Sequence, residues 1–237
     1  MLKGLLIEGL FLYSNMRYSF IITAGGIGKR MGSTQPKQFL SIGGQPLLMH
    51  TIARLAAYDA TAQLIVTLPD AHVAEWKSLC AQHSFTIQHE IIAGGVERYH
   101  SIKNALAICT GSIIGVHDGV RPFVSNVLLD RLTDAMQAHR AVIPVIAVNE
   151  SLRKVANDQS NCAVERSDFR VVQTPQLFEA SVLRSAYEIP FSPSFTDDAS
   201  LVEQLGNTIH LVEGTQENIK ITRSVDLMLA DYYLQHQ

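Results

Sequence analysis

Gly25, Gly26 and Gly28, followed by Arg30 and Lys37, set a pliant backbone and two cations close together in the chain. The run is Thr23-Ala24-Gly25-Gly26-Ile27-Gly28-Lys29-Arg30-Met31, with Pro36-Lys37-Gln38-Phe39 soon after. Tyr18 to Thr23 reads as a short buried strand, so the glycines open a turn at a strand end. Lacking Cβ atoms, they let the backbone turn tightly and bring its N–H groups up to an anion. Arg30 and Lys37 add positive charge where phosphate oxygens would lie. A solvated glycine-rich surface turn has the same composition, and the rest of the chain decides between the two readings. Two familiar phosphate-binding loops are excluded. The Walker spacing, Gly-x-x-x-x-Gly-Lys-Ser/Thr, does not occur here. The dinucleotide pattern counted from Gly26 meets Met31 at its third glycine, and Leu47-Leu48-Met49-His50 offers no acid for a ribose.

With 237 residues, 47% of them hydrophobic, the chain is long enough to bury a large core and is most simply one domain. A formal net charge of −3 gives no basic field for nucleic acid, so an anionic ligand must be held by local cations, and a small phosphorylated substrate fits best. Cys80, Cys109 and Cys162 are odd in number and lack Cys-x-x-Cys spacing, which argues for inert thiols in a reducing cytoplasm. The nine histidines show no metal-ligand spacing, and His117 reads as a strand-end packing residue. Met1 to Asn15 is an apolar run broken by Gly4, Glu8 and Gly9, too short to span a bilayer and without a small-residue cleavage site. It reads as an N-terminal extension, with Met16 the expected start of a single domain over 16–237 and no membrane association.

Runs rich in Ile and Val alternate with helical periodicity, the pattern of an α/β fold with a mostly parallel central sheet. Strands are expected at Tyr18–Thr23, Gln63–Leu68, Thr86–Ile92, Ser112–Val116, Ala141–Val148 and Thr208–Val212. Helices are expected near 46–58, 71–83, 98–109, 125–139, 179–187, 197–205 and 224–234, with Pro46 in a first turn and Ser125 as an N-cap. The glycine loop, Gly94-Gly95 and Asp118 to Phe123 all follow strands. Ligands collect at the carboxyl ends of such strands, so three loops should converge on one crevice. Between Asn149 and Val172, Ser151–Ala156 and Cys162–Val164 flank a polar turn, as either a hairpin arm or a solvated loop insertion.

Ala24-Gly25-Gly26-x-Gly28-x-Arg30-Met31 with Pro36-Lys37-Gln38 resembles the signature loop of the sugar-nucleotide pyrophosphorylase class. Further segments narrow the likeness: Gly94-Gly95-x-x-Arg98-x-x-Ser101, Val116-His117-Asp118-Gly119-Val120-Arg121-Pro122-Phe123, Gln173-Thr174-Pro175-Gln176, Thr196-Asp197-Asp198-Ala199-Ser200, and Glu213-Gly214 with Asn218-Ile219-Lys220-Ile221-Thr222. Together they are similar to the 2-C-methyl-D-erythritol 4-phosphate cytidylyltransferase family, from Tyr18 to the C-terminus. The resemblance implies a Rossmann-like nucleotidyltransferase with a protruding β-hairpin arm, exchanged between the subunits of a homodimer. It implies transfer of a cytidylyl group from CTP to 2-C-methyl-D-erythritol 4-phosphate, in non-mevalonate isoprenoid precursor synthesis, with magnesium or another divalent cation.

Carried onto this chain, the family's site makes Arg30 and Lys37 the stabilisers of transition-state charge, and Arg166 and Lys220 the residues that position the nucleophile. CTP falls to Ala24, Gly25, Gly26, Gly95, Val96, Arg98, Ser101, Asp118 and Gly119. The acceptor falls to Arg121, Ser151, Arg166, Thr174, Thr196 and Lys220. Asp118 has the charge to help hold magnesium, and an Asp118–Arg121 ion pair is the plainer alternative. Thr196 before two acids also reads as a helix N-cap. Ser151 stands where the family has Thr, and Gly119-Val120 where many members have two small residues. Ribitol-5-phosphate cytidylyltransferase shares the glycine loop, while Arg166 and the Thr196 segment favour the methylerythritol phosphate acceptor. A non-catalytic nucleotide-binding module is the remote alternative.

Overall fold

The computed structural model describes residues 16–26 and 35–236; the expectations for Met1 to Asn15, Gly28 and Arg30 lie outside them. Strand β1 (Tyr18–Thr23) runs parallel to β4 (Gln63–Leu68) on one side and β6 (Ile113–Asp118) on the other. Between β1 and β4 lie a two-stranded ribbon, β2 (Ser41–Ile42) with β3 (Gln45–Pro46), and helix α1 (Leu47–Tyr58). Helix α2 (Asp70–Gln82) leads to β5 (Glu90–Ala93), parallel to β4, and α3 (Arg98–Leu106) leads to β6. Beyond β6 come α4 (Asn126–Ala135) and β7 (Ala141–Ala147). The chain then forms β8 (Arg153–Val155), β9 (Asn161–Ala163), β10 (Arg170–Val172) and β11 (Gln176–Glu179). It ends with α5 (Ala180–Ala186), α6 (Asp198–Glu203), β12 (His210–Glu213) and α7 (Ser224–Gln235).

Alternation along the inner strands builds a core on each side of the sheet. Phe20, Ile22, Leu64, Val66 and Leu68 face one way, under α1, Trp76 of α2 and α4. Ile21, Ile65, Ile114 and Val116 face the other way, under α3, α5 and α6. Burying each such side chain contributes about 1.5–3 kcal/mol. Continuous apolar strands are thus the signature of a sheet covered on both faces. Among the described residues no helix is long and apolar enough to cross a membrane. The three cysteines are free, and burial pushes the Cys109 thiol up to about 12.

Some expectations need correction. Strand β11 has no counterpart in the sequence reading, yet it enters antiparallel between β6 and β7. Its four residues abut a helix and carry no alternation long enough to register; pairing with distant strands defines it. β10 and β11 pair with successive stretches of β7, and Val142 and Val145 also pair with β12, so β12 occupies the other edge of β7. Ser125 does cap α4, its hydroxyl accepting from Leu128 N at 3.2 Å. Pro46 instead pairs with Ser41 and precedes α1. The excursion after β7 is a hairpin, β8 pairing antiparallel with β9, and every residue of both strands is exposed.

His117, near the end of β6, is fully buried. Its Nε2 lies 3.1 Å from the Arg121 carbonyl and its Nδ1 2.9 Å from Thr174 Oγ1. A carbonyl only accepts, so Nε2 carries the proton and Nδ1 accepts from the hydroxyl. Burial lowers the imidazole pKa to about 4, the nearby Asp118 opposing only in part. The unfolded chain protonates this histidine near its ordinary value, whereas the folded chain resists down to about 4. Stability from His117 is therefore complete above the unfolded value and declines as pH falls through this window, by roughly 3 kcal/mol. We predict an NMR titration midpoint for His117 near pH 4, and a flatter fall in urea stability between neutral and acid pH for His117→Asn. A midpoint at the ordinary histidine value would contradict the buried neutral ring.

Candidate active site

A cleft of about 480 Å³ opens at the carboxyl ends of β1, β4, β5 and β6. Its floor follows from register: Thr23 pairs with Thr67 on β4 and with Asp118 on β6, so these three side chains form a row across adjacent strands. Ala24, Gly25 and Gly26 leave β1 along one wall, with Ala24 N donating to Thr67 O at 3.0 Å. Lys37 lies across them. A Cβ on Gly26 would come within 2.6 Å of Lys37 Cε, so the glycine makes room for that side chain. Lys37–Phe39 forms a 3-10 turn whose Phe39 stacks on Trp76 with ring centroids 5.8 Å apart. The aromatic anchor fixes where the Lys37 side chain begins.

Gly94, Gly95, Val96 and Ser101 form the opposite wall. Gly94 N donates to Leu68 O at 2.7 Å. A Cβ on Gly95 would overlap the side chain and backbone of His100, so only glycine brings the loop this close to α3. Ser101 Oγ accepts from Gly95 N at 3.0 Å and donates to Glu97 O at 3.2 Å. Its hydroxyl proton is therefore spent on shaping the loop rather than pointed at a base. Val96, 93% exposed, stands at the rim.

Asp118 closes the floor. Its Oδ2 lies 3.0 Å from Lys220 Nζ and 3.2 Å from Arg121 Nε, and the Arg121 Nη1 donates to Asn218 O at 2.7 Å. Burial alone would raise the carboxyl pKa, but Lys220, Arg98 and Arg121 together hold it well below the usual carboxylate range. Burial in turn lowers the Arg121 pKa. The Asp118–Arg121 pair anticipated from the sequence is thus present, and Lys220 joins it. Among the described residues no group of three His, Cys, Asp or Glu side chains could hold a metal. A single carboxylate is compatible with magnesium where phosphate oxygens and waters supply the other ligands.

Several expected ligands are placed differently. The Gly119 N–H donates to Thr23 O at 2.9 Å and its carbonyl accepts from Thr51 Oγ1 at 3.0 Å, so its backbone N–H is committed to the fold. Thr174 Oγ1 accepts from Asp118 N at 3.0 Å and donates to His117, which commits the hydroxyl beneath the site. Arg98 borders the cleft, but its guanidinium grips the fully buried Asp198 through two bonds of 3.0 and 2.6 Å. Asp198 also accepts from the Tyr187 hydroxyl at 2.6 Å. Asp197, not Thr196, caps α6, in a reciprocal capping box with Ser200. Thr196 instead borders a second cavity of about 330 Å³ among Tyr99, Phe191 and Phe195. Arg166 Nη1 donates to Asn149 O at 2.6 Å, and neither Arg166 nor Ser151 reaches the cleft of its own chain. Thr67 and Gln38 border the cleft as well: the place of Thr67 follows only from strand register, and Gln38 carries no sequence signal beyond its place in the Pro-Lys-Gln motif.

The 2-C-methyl-D-erythritol 4-phosphate cytidylyltransferase (IspD) family model matches residues 18–236. A protein of that name from Bacteroides thetaiotaomicron is 48% identical over 220 residues, covering 92% of this chain and 100% of the relative. One from Porphyromonas gingivalis is 44% identical over 221 residues, covering 92% and 97%. Among solved structures, the cytidylyltransferase of that name from Thermus thermophilus is 32% identical with a TM-score of 0.74, covering 93% of this chain and 100% of its own. The bifunctional IspDF of Campylobacter jejuni is 28% identical with a TM-score of 0.77, covering 90% of this chain and 53% of that longer one. The chain belongs to the 2-C-methyl-D-erythritol 4-phosphate cytidylyltransferase family.

Proposed function

We propose that the cleft between the glycine loop and Gly94-Gly95 is where this chain carries out its family's reaction. As a family member, the chain is a CTP-dependent nucleotidyltransferase that forms 4-diphosphocytidyl-2-C-methyl-D-erythritol and pyrophosphate for isoprenoid synthesis. The ribitol 5-phosphate alternative finds no support in the comparisons. One observation carries the placement: Lys37, the two glycine walls, Asp118 and Lys220 border a single cavity at the strand ends. In this reading the triphosphate lies along Ala24, Gly25 and Gly26, whose backbone approaches without steric cost, and the pyrimidine lies between Gly95 and Val96. The acceptor phosphate attacks the α-phosphorus in line and pyrophosphate leaves, so positioning and fixed positive charge supply the catalysis. Lys37 faces the charge that develops on the phosphates, and Arg30 is assigned the same task. Lys220, held by Asp118, faces the incoming acceptor. Magnesium at the triphosphate, with Asp118 as its protein ligand, would neutralise phosphate oxygens.

Arg166 and Ser151 complete the acceptor pocket of a neighbouring subunit in this proposal. Their distance from their own cleft supports it, as do the exposed apolar side chains of the arm and its base, Val155, Phe169, Val171 and Val172. Exchanged arms would cover that surface. Arg98 acts at the nucleotide through the wall it braces with Asp198.

Pyrophosphate release from CTP, assayed with each of the two acceptors in magnesium buffer, tests the reaction; release with ribitol 5-phosphate alone would overturn the acceptor. Lys37→Ala is predicted to lower turnover by about two orders of magnitude or more while leaving the fold intact. Turnover within threefold of wild type in the folded variant would remove Lys37 from the chemistry. For the arm, an Arg166→Ala chain and a Lys37→Ala chain, each nearly inactive alone, should regain activity as a purified heterodimer. With exchanged arms one of its two sites carries neither change, whereas with arms serving their own bodies both sites are defective. An inactive heterodimer, or a monomer at micromolar concentration, would rule out the exchange.

A further inference from the structure

Among the described residues three glutamines are buried, and two are satisfied at both ends of the amide. Gln176 donates to Asp197 Oδ2 at 2.8 Å and accepts from Ala199 N at 3.1 Å. Gln173 donates to Thr215 O at 2.8 Å and accepts from Thr215 N at 3.3 Å. The third, Gln38, is 1% exposed and borders the nucleotide cleft, yet among the described residues neither its Nε2 nor its Oε1 has a hydrogen-bond partner. Across the cleft, the hydroxyl of the fully buried Thr67 is orphaned in the same way. Buried polar groups are ordinarily paired, because an unmade hydrogen bond costs free energy without return. A glutamine kept only for packing would be better replaced by an apolar side chain of its size.

The backbone holds Gln38 in place. Phe39 N donates to Pro36 O at 2.9 Å and Leu40 N to Lys37 O at 3.2 Å, while Phe39 is locked against Trp76. Gln38 thus sits between the cation that lies over Gly26 and the aromatic anchor of its turn. We propose that Gln38 is a nucleotide-binding residue whose amide donates to and accepts from bound CTP, so that its hydrogen bonds are completed only by the ligand. This rests on the reading of the cleft as the CTP site. Because an amide can turn over to suit a carbonyl or an amino group, its contribution is to affinity for the nucleotide and not to the choice of base.

The test pairs calorimetric titration of CTP, in magnesium buffer without acceptor, with thermal unfolding in the absence of nucleotide. Gln38→Met keeps the volume and removes the orphaned atoms. Its dissociation constant for CTP should rise about tenfold, while the unfolding midpoint stays level or rises by a few degrees. A glutamine with a structural role gives the reverse, so a lowered midpoint or an unaltered CTP affinity overturns the proposal. A second variant, Gln38→Glu, keeps the shape and sets a carboxylate beside the triphosphate. It should weaken CTP about a hundredfold or more at pH 8, and binding within threefold of wild type overturns the proposal. Wild-type protein that fails to bind CTP would overturn the reading of the cleft itself, a result distinct from wild-type binding matched by the variants.

Discussion

The buried carboxylate of Asp118 is the constraint on which the site depends. It stands at the end of a central strand and is nearly removed from water, a costly position for a charge without partners. Lys220 and Arg121 meet that cost, and Arg121 also holds the carbonyl of Asn218. Lys220 and Asn218 belong to the segment that precedes α7, so one carboxylate ties the last part of the chain to the middle of the sheet. Asn218 Nδ2 reinforces the tie by donating to Thr174 O at 2.8 Å. Removing Asp118 would leave Arg121 buried without its counter-charge, and removing Arg121 would leave the carboxylate to Lys220 alone; either change loosens the floor of the cleft.

Beneath it lies a neutral layer. Thr174 receives the Asp118 N–H and gives its proton to His117, which gives its own to the Arg121 carbonyl. Each group uses its hydrogen-bonding capacity in one direction, which fixes the imidazole tautomer and keeps the ring uncharged. A second ion pair, the half-buried Arg98 with the fully buried Asp198, braces the wall that carries Gly95. These networks explain why several polar residues of the family-like motifs are turned inward. They support the walls and floor of the cleft from behind, and the cleft itself is bordered largely by the backbone of the two glycine segments.

Preorganisation of this kind suits a reaction in which phosphates must approach one another against their charge. The backbone of the glycine loops costs little entropy to align once their close contacts, Lys37 on Gly26 and His100 on Gly95, are in place. The arm contrasts with this rigidity. The residues of β8, β9 and β10 are all exposed, and the arm and its base present apolar side chains outward, the surface that the proposed exchange of arms would cover.

Much of the fold was legible in the sequence, because it rests on interactions between near neighbours. The short apolar runs of β1, β4 and β6, the glycines after β1, the Ser125 cap and the turn between β8 and β9 are local patterns that a few adjacent residues enforce. Their placement after strands sufficed to foresee one cleft at the sheet's carboxyl edge. What tertiary structure alone decided is which polar groups meet. Arg98 and Asp198 lie a hundred residues apart, Asp118 and Lys220 slightly farther, and β11 exists only through its pairing with β6 and β7. No local pattern distinguishes a threonine that caps a helix from one that borders a cavity, as Thr196 does, or a paired glutamine from the orphaned Gln38. Those distinctions turn on the cost of burying a charge or a hydrogen-bonding group, and that cost is set only when the folded chain supplies or withholds the partner.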